Sequence, residues 1–127
     1  SDVIVSCITE AQGLLCDDDN LYKEGCLVVP VHTRGFQNCD LFFDKVYADD
    51  TAHVCGFKYF SQFKQFAEIQ DVIAGKAKGR ESDTERILSY NIGLGLHDLV
   101  YASKIYEILK GDSNEIELIR ETEKFWI

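Results

Sequence analysis

The sequence predicts an α/β protein in which a parallel sheet comes first and helices come last. Two runs, Asp2 to Ile8 (DVIVSCI) and Cys26 to Val31 (CLVVPV), are β-branched and apolar at nearly every position. That is how strands covered on both faces read. A short helix is expected between them, and strands alternating with helices form parallel sheets. From Asn91 to Leu109, apolar residues recur at helical spacing.

Taken in order, Asp2 to Ile8 is the first strand, followed by a loop from Thr9 to Leu15. Asp17, Asp18 and Asp19 precede Leu21 and Tyr22, and acids there suit the first turn of a short helix that Gly25 stops. In the second strand, Pro30 marks the end, because proline withholds a ladder hydrogen bond. His32 to Asp40 is a polar loop, and Lys45 to Ala48 (KVYA) is a third strand closed by Asp49 and Asp50. Tyr59, Phe60, Phe63 and Phe66 fit a helical face, and Phe66 to Ala74 continues as a short amphipathic helix ended by Gly75. Ser82-Asp83-Thr84-Glu85 has the form of a capping box, in which Ser82 caps a helix start and Glu85 returns to the Ser82 amide. Ile92, Leu96, Leu99, Val100, Ile105 and Leu109 mark one stripe of the long helix, and Asp112 to Phe125 reads as a final one.

The 127 residues suit one domain. Thirteen basic against twenty-two acidic side chains give a net charge of −9, which disfavours nucleic acid and anionic membrane surfaces as partners. No run approaches the roughly 18 apolar residues of a membrane span. The five cysteines lie mostly in apolar company with no C-x-x-C pair, so they read as free, largely buried thiols of a cytoplasmic protein. Opening directly on a strand suggests a fragment or an excised domain.

Metal chemistry finds no support: His32, His53 and His97 are scattered, and zinc sites need closer, repeated ligands. Cys7 lies inside an expected strand and reads as a core thiol rather than a nucleophile. The acids at 17–19 read as a solvated helix start. Gly93-x-Gly95-x-x-Asp98 looks like a dinucleotide fingerprint without its third glycine. The segment before it, Glu85 to Tyr90, reads as a capped helical turn, whereas a phosphate-binding loop follows a strand. Of more interest is the loop after the second strand. Ligands collect at the carboxyl ends of parallel strands, where Ser6 to Thr9 and His32 to Gly35 both fall. There Arg34 is suited to a carboxylate or phosphate and His32 to moving a proton; a polar surface turn is the other reading.

The segments DVIVSCITE, GCLVVPVHTRG, FDKVYADD, EIQDVIAGKAKGR and SDTERILSYNIGLGLHDLVYASKIYE occur in this order. Together they resemble the carboxyl-terminal half of the ornithine cyclodeaminase/mu-crystallin family. The most specific piece is Asn91-Ile92-Gly93-Leu94-Gly95-Leu96-His97-Asp98, and Asp71 to Arg80 is a second. The resemblance covers roughly Ser1 to Leu109. It implies the second half of a Rossmann-like parallel sheet with carboxyl-terminal helices. Residues 1–110 would form a partial NAD(P)-binding domain and residues 111–127 a helical tail.

It also implies NAD or NADP as cofactor of the full-length parent, an amino or imino acid as substrate, and a homodimer. The expected activity is deaminating cyclisation or imine and amino-acid oxidoreduction, with the isolated chain inactive. The alternative is a non-catalytic half-domain that dimerises or binds a small ligand. By position, Ser6, Cys7 and Ile8 would follow the strand lining the dinucleotide. Val31, His32 and Thr33 would lie near the nicotinamide, and Asn91 and Gly93 would bring a helix start to the cofactor. Arg34 would bind substrate; it stands where the cyclodeaminases proper carry a catalytic acid, a place Asp40 does not match. The chain contains no G-x-G-x-x-G.

Overall fold

The computed structural model describes residues 1–36 and 39–112, and for Cys39 the backbone only. The helix expected from Asp112 to Phe125 and the 111–127 tail therefore lie, beyond their first residues, outside the described part. The chain divides into two compact units, residues 1–94 and 95–127.

The first unit is built on five strands: β1 (Val3–Ser6), β2 (Leu27–Pro30), β3 (Lys45–Ala48), β4 (Phe66–Glu68) and β5 (Ile87–Tyr90). All pairings are parallel, in the order β1-β2-β5-β3-β4. The predicted fold class is thus the observed one. Pro30 is the last residue of β2, as its missing donor requires, and β3 spans the predicted residues. Two short helices, α1 (Thr51–Val54) and α2 (Ile69–Ile73), follow β3 and β4. The aspartates at 17–19 do open a helical turn, a 3₁₀ turn over Asp19–Leu21 capped by the Asp18 side chain.

The core sits under the middle of the sheet. Val28, Leu88 and Val46 stand in register across β2, β5 and β3. All three are fully buried, together with Phe43, Val54 and Cys26. Phe43 packs its ring 5.2 Å from Tyr22 and 5.8 Å from Phe42. Lys45 enters β3 almost completely buried, its Nζ paired with Glu81 at 2.8 Å and Glu85 at 3.2 Å. Tyr47 donates to the carbonyl of Lys78 at 2.7 Å. These contacts fold the basic loop back onto the start of β3.

Four expectations are corrected. β1 is not covered on both faces: it has a neighbour on one side only, and Val3 and Val5 are exposed. Cys7, just past its end, is an exposed thiol rather than a core one, as is Cys55; Cys26 is buried and Cys16 half-buried. The aromatic run is not one helical face. A 3₁₀ turn over Phe60–Gln62 leads into β4, and Phe60, Phe63 and Phe66 meet with centroids 4.9–6.0 Å apart. The three-residue spacing records this cluster, not a helix. Finally, Ser82 to Glu85 starts no helix. Ser82 Oγ accepts from the Thr84 amide at 3.2 Å, while Glu85 accepts from the Glu81 amide at 2.8 Å. The bonds a capping box would give a helix close a turn instead, and the turn feeds β5 into the centre of the sheet.

That turn is locked to β2 through Gly25, whose amide donates to the Thr84 carbonyl at 3.1 Å. Gly25 has φ +73°, and a Cβ there would stand 2.3 Å from the Asp83 carbonyl oxygen. Gly25→Ala is expected to lower stability by about 2 kcal/mol, the left-handed strain plus displacement of a backbone carbonyl. Urea unfolding tests it, and an unchanged midpoint would show that the 82–86 turn is free to yield.

Of the second unit, α3 (Gly95–Leu109) is described, and none of its residues is buried. It starts after, not at, Asn91. Among the described residues no helix is long and apolar enough to cross a membrane.

Candidate functional site

Because β1 and β2 run parallel with Ser6 opposite Pro30, their carboxyl ends open on one edge. The last bond between them is from the Val31 amide to the Ser6 carbonyl, 2.9 Å. Beyond it the two loops part around a cleft of about 290 Å³ lined by Ile8, Thr9, Glu10, Ala11, His32, Thr33 and Arg34. Its floor is fixed by a 2.7 Å hydrogen bond between Ser6 Oγ and His32 Nε2. The imidazole stacks obliquely on Phe36, centroids 5.9 Å apart. His32 Nδ1 is buried without a hydrogen-bond partner. A bare lone pair costs less there than an orphaned N–H, so the favoured tautomer carries its proton on Nε2 and donates to Ser6.

The segment after β5 reaches the same edge. Asn91 donates its amide to the Pro30 carbonyl at 3.0 Å, and Asp49 donates its amide to the Tyr90 carbonyl at 3.0 Å. The turn after β5 is therefore bonded to β2 on one side and to β3 on the other. Gly93 has φ +108°, and a Cβ built there meets nothing within 4 Å. Its amide donates to Asp49 Oδ2 at 2.6 Å, so it is engaged within the protein. What Gly93 offers a ligand is close approach to bare backbone, not a free N–H.

Below this edge lies Asp40, fully buried. It accepts a short hydrogen bond from the Tyr90 hydroxyl at Oδ1, while Oδ2 has no partner. Burial pushes its carboxyl up to about 6, with the Tyr90 bond and a backbone bond pulling the other way.

Of the residues singled out from sequence, Ile8, His32, Thr33 and Arg34 meet in the cleft, and Ser6 joins them through His32. Cys7 does not line it. Cys7 borders a separate apolar recess of about 420 Å³ beside β1, with Ile4, Leu15 and Leu21 among its walls. Val31 is exposed at the rim. Asn91 and Gly93 share the edge without lining the cleft. Sequence reasoning places Thr9 at this edge as the end of the Ser6 to Thr9 segment but does not single out Glu10 and Ala11, which follow it. Asp49 reads in the sequence only as the close of a strand. Among the described residues no three His, Cys, Asp or Glu side chains gather as a metal site would need.

The family model described as ornithine cyclodeaminase/mu-crystallin matches residues 2–113. The chain belongs to the ornithine cyclodeaminase/mu-crystallin family. Among proteins similar to this family member is the nodulation efficiency protein NfeD of Rhizobium meliloti. The two are 34% identical over 93 residues, covering 68% of this chain and 29% of NfeD. The fold is also that of the crystal structure of a probable ornithine cyclodeaminase from Bordetella pertussis Tohama I, with TM-score 0.69 at 19% identity. That match covers 88% of this chain and 40% of the other. The chain thus spans well under half the length of both.

Proposed function

We propose that this chain supplies the carboxyl-terminal half of an NAD(P)-binding Rossmann-like domain. The parent is an ornithine cyclodeaminase-like enzyme acting on an amino or imino acid, and the isolated chain is inactive. The observation that carries this reading is the meeting of three adjacent strand ends, β1, β2 and β5, at one cleft-bearing edge, where open α/β sheets take their ligands. The side-chain-free approach at Gly93 and the walls formed by Ile8 and Thr33 fit the nicotinamide end of a dinucleotide. A glycine-rich pyrophosphate loop has no counterpart in these residues.

When bound, the nicotinamide supplies hydride transfer, and the protein supplies placement and electrostatics. Arg34, on the rim, holds the substrate carboxylate in a charge-assisted pair. His32 Nε2, held by Ser6, presents a proton that moves only if that bond is exchanged for one to substrate. The same reading implies a homodimer.

Titrating the full-length protein with NAD(H) and NADP(H), followed by nicotinamide fluorescence, tests the assignment. Saturable binding of one of them is expected, and binding of neither overturns it. Arg34→Ala should raise KM for the amino or imino acid by roughly 10- to 100-fold, the worth of one charged hydrogen bond, with a smaller change in kcat. Unchanged kinetics would remove Arg34 from the substrate site.

A further inference from the structure

Among the described residues, the carboxylate of Asp49 reaches from the end of β3 into the turn after β5. Its side chain is only 5% exposed, and both oxygens are used. Oδ2 accepts the Gly93 amide at 2.6 Å, while Oδ1 accepts the Asp50 amide at 2.8 Å and meets His53 Nδ1 at 3.2 Å. The backbone around it is equally constrained. The Asp49 amide is bound to the Tyr90 carbonyl, and Asp50 follows as the side-chain cap of α1, accepting from the Ala52 amide at 2.8 Å. Glu68 at the end of β4 holds the Thr51 amide at 2.8 Å and its hydroxyl at 2.6 Å. A buried carboxylate is costly unless its oxygens are satisfied. Here the satisfaction comes from a backbone amide at a left-handed glycine, from the amide of Asp50 and from a partly exposed imidazole.

We infer that Asp49 is a positioning residue: it fixes the Gly93 end of the Asn91–Gly93 turn at the cofactor edge from the neighbouring strand, and the Asp50 amide together with His53 holds the carboxylate in the orientation that does so. The inference rests on the nicotinamide reading of this edge. The division of labour follows from bond type. The Gly93 amide has one direction, set by φ +108°, so its acceptor decides where the turn lies. His53 rides on α1, four residues on from Asp49, and its ring joins the Asp50 amide in holding the other oxygen against rotation. Asp49 touches no ligand in this scheme, and its effect passes through Gly93. Asn91 is held by its amide on the Pro30 carbonyl and Ile92 by packing against the core, so what the charge-assisted Asp49 anchor restrains is Gly93 itself, and losing it lets the glycine sample its wide backbone space.

The test uses the full-length protein with three variants, Asp49→Ala, Asp49→Asn and His53→Ala. Two quantities are read: hydrogen–deuterium exchange of the Gly93 amide, and dissociation constants for NAD+ and NADP+. For Asp49→Ala, exchange at Gly93 should rise at least tenfold and the preferred dinucleotide should bind at least tenfold more weakly, with far-ultraviolet dichroism unchanged. His53→Ala should give changes of about threefold in both, since Oδ2 keeps its partner. Asp49→Asn should fall between, because its one oxygen cannot accept from Gly93 on one side and from Asp50 and His53 on the other. Where that oxygen stays on Gly93 the His53 tautomer switches, visible in imidazole nitrogen shifts; where it stays on His53 the Gly93 exchange rises.

If Asp49→Ala fails to fold, Asp49→Asn decides: an unchanged Gly93 exchange rate together with an unchanged His53 tautomer overturns the inference. Asp49→Ala binding as tightly as the wild type overturns it as well, while leaving the cofactor reading intact. A wild-type protein that binds neither dinucleotide overturns the cofactor reading itself, and the positioning role with it.

Discussion

Replacing Asp40 by asparagine is expected to abolish a fall in stability that the unaltered chain shows between about pH 4 and pH 6. The sign follows from proton counting. The buried carboxyl titrates at about 6, whereas in the unfolded chain an aspartate titrates at about 3.9. Between those values the folded form holds a proton that the unfolded form has released, so unfolding becomes easier as pH rises. The contribution is full below about pH 4 and gone above about pH 6; the gap between the folded and unfolded values corresponds to about 3 kcal/mol. Groups held below their ordinary range act in a lower window with the opposite sign. Chief among them is Glu81, lowered to about 2 by its bonds to Lys45 and Lys78, whose contribution grows as pH rises from about 2 to about 4.5.

The comparison to make is therefore the slope of urea-unfolding free energy against pH in both proteins. Contributions common to both proteins cancel in the difference. Absolute levels are less informative, because an asparagine nitrogen at the unpartnered Oδ2 position would be a buried donor without an acceptor. Equal slopes in the two proteins would mean that Asp40 stays ionised and that a bound water satisfies Oδ2.

The second large effect belongs to Phe43. It is fully buried beneath the sheet and wedged between Tyr22 and Phe42. Phe43→Ala should lower stability by about 3–5 kcal/mol, the transfer term plus the cavity left behind. Against a total of about 5–15 kcal/mol for a domain, that leaves part of the population unfolded at 37 °C. Phe43→Leu, which keeps most of the volume, should cost about 1.5 kcal/mol or less. Denaturant midpoints of the two variants check this, and a Phe43→Ala protein within about 1 kcal/mol of wild type would mean that the 41–44 segment collapses into the space.

Much of the sheet was legible in the sequence because its strands announce themselves locally. β1 and β2 are apolar runs closed by turn signals, and β3 ends on an aspartate pair. β4 and β5 are three and four residues long, too short for alternation to show. Each also sits beside a stronger local pattern, the aromatic spacing before β4 and the Ser82–Glu85 sequence before β5. At the site, Ser6, His32 and Arg34 needed only two parallel strands to be brought together, and that much could be read. The tie from Asp49 to Gly93 depends on β5 lying next to β3. No pattern within either segment carries that information, since adjacency across 44 residues is a property of the whole sheet.

The strand order has a consequence for how the molecule is made. β5, the last in sequence of the five described strands, is the middle one of the five. Until residue 90 leaves the ribosome, β1 pairs only with β2 and β3 only with β4, and the facing sides of the two pairs present unsatisfied amides and carbonyls. Two of the four strand pairings form in one late event that joins segments far apart in the chain, a high contact order that slows folding. A chain paused before β5 carries two open edges flanking an apolar slot, so it is at this stage that a nascent-chain chaperone has something to hold.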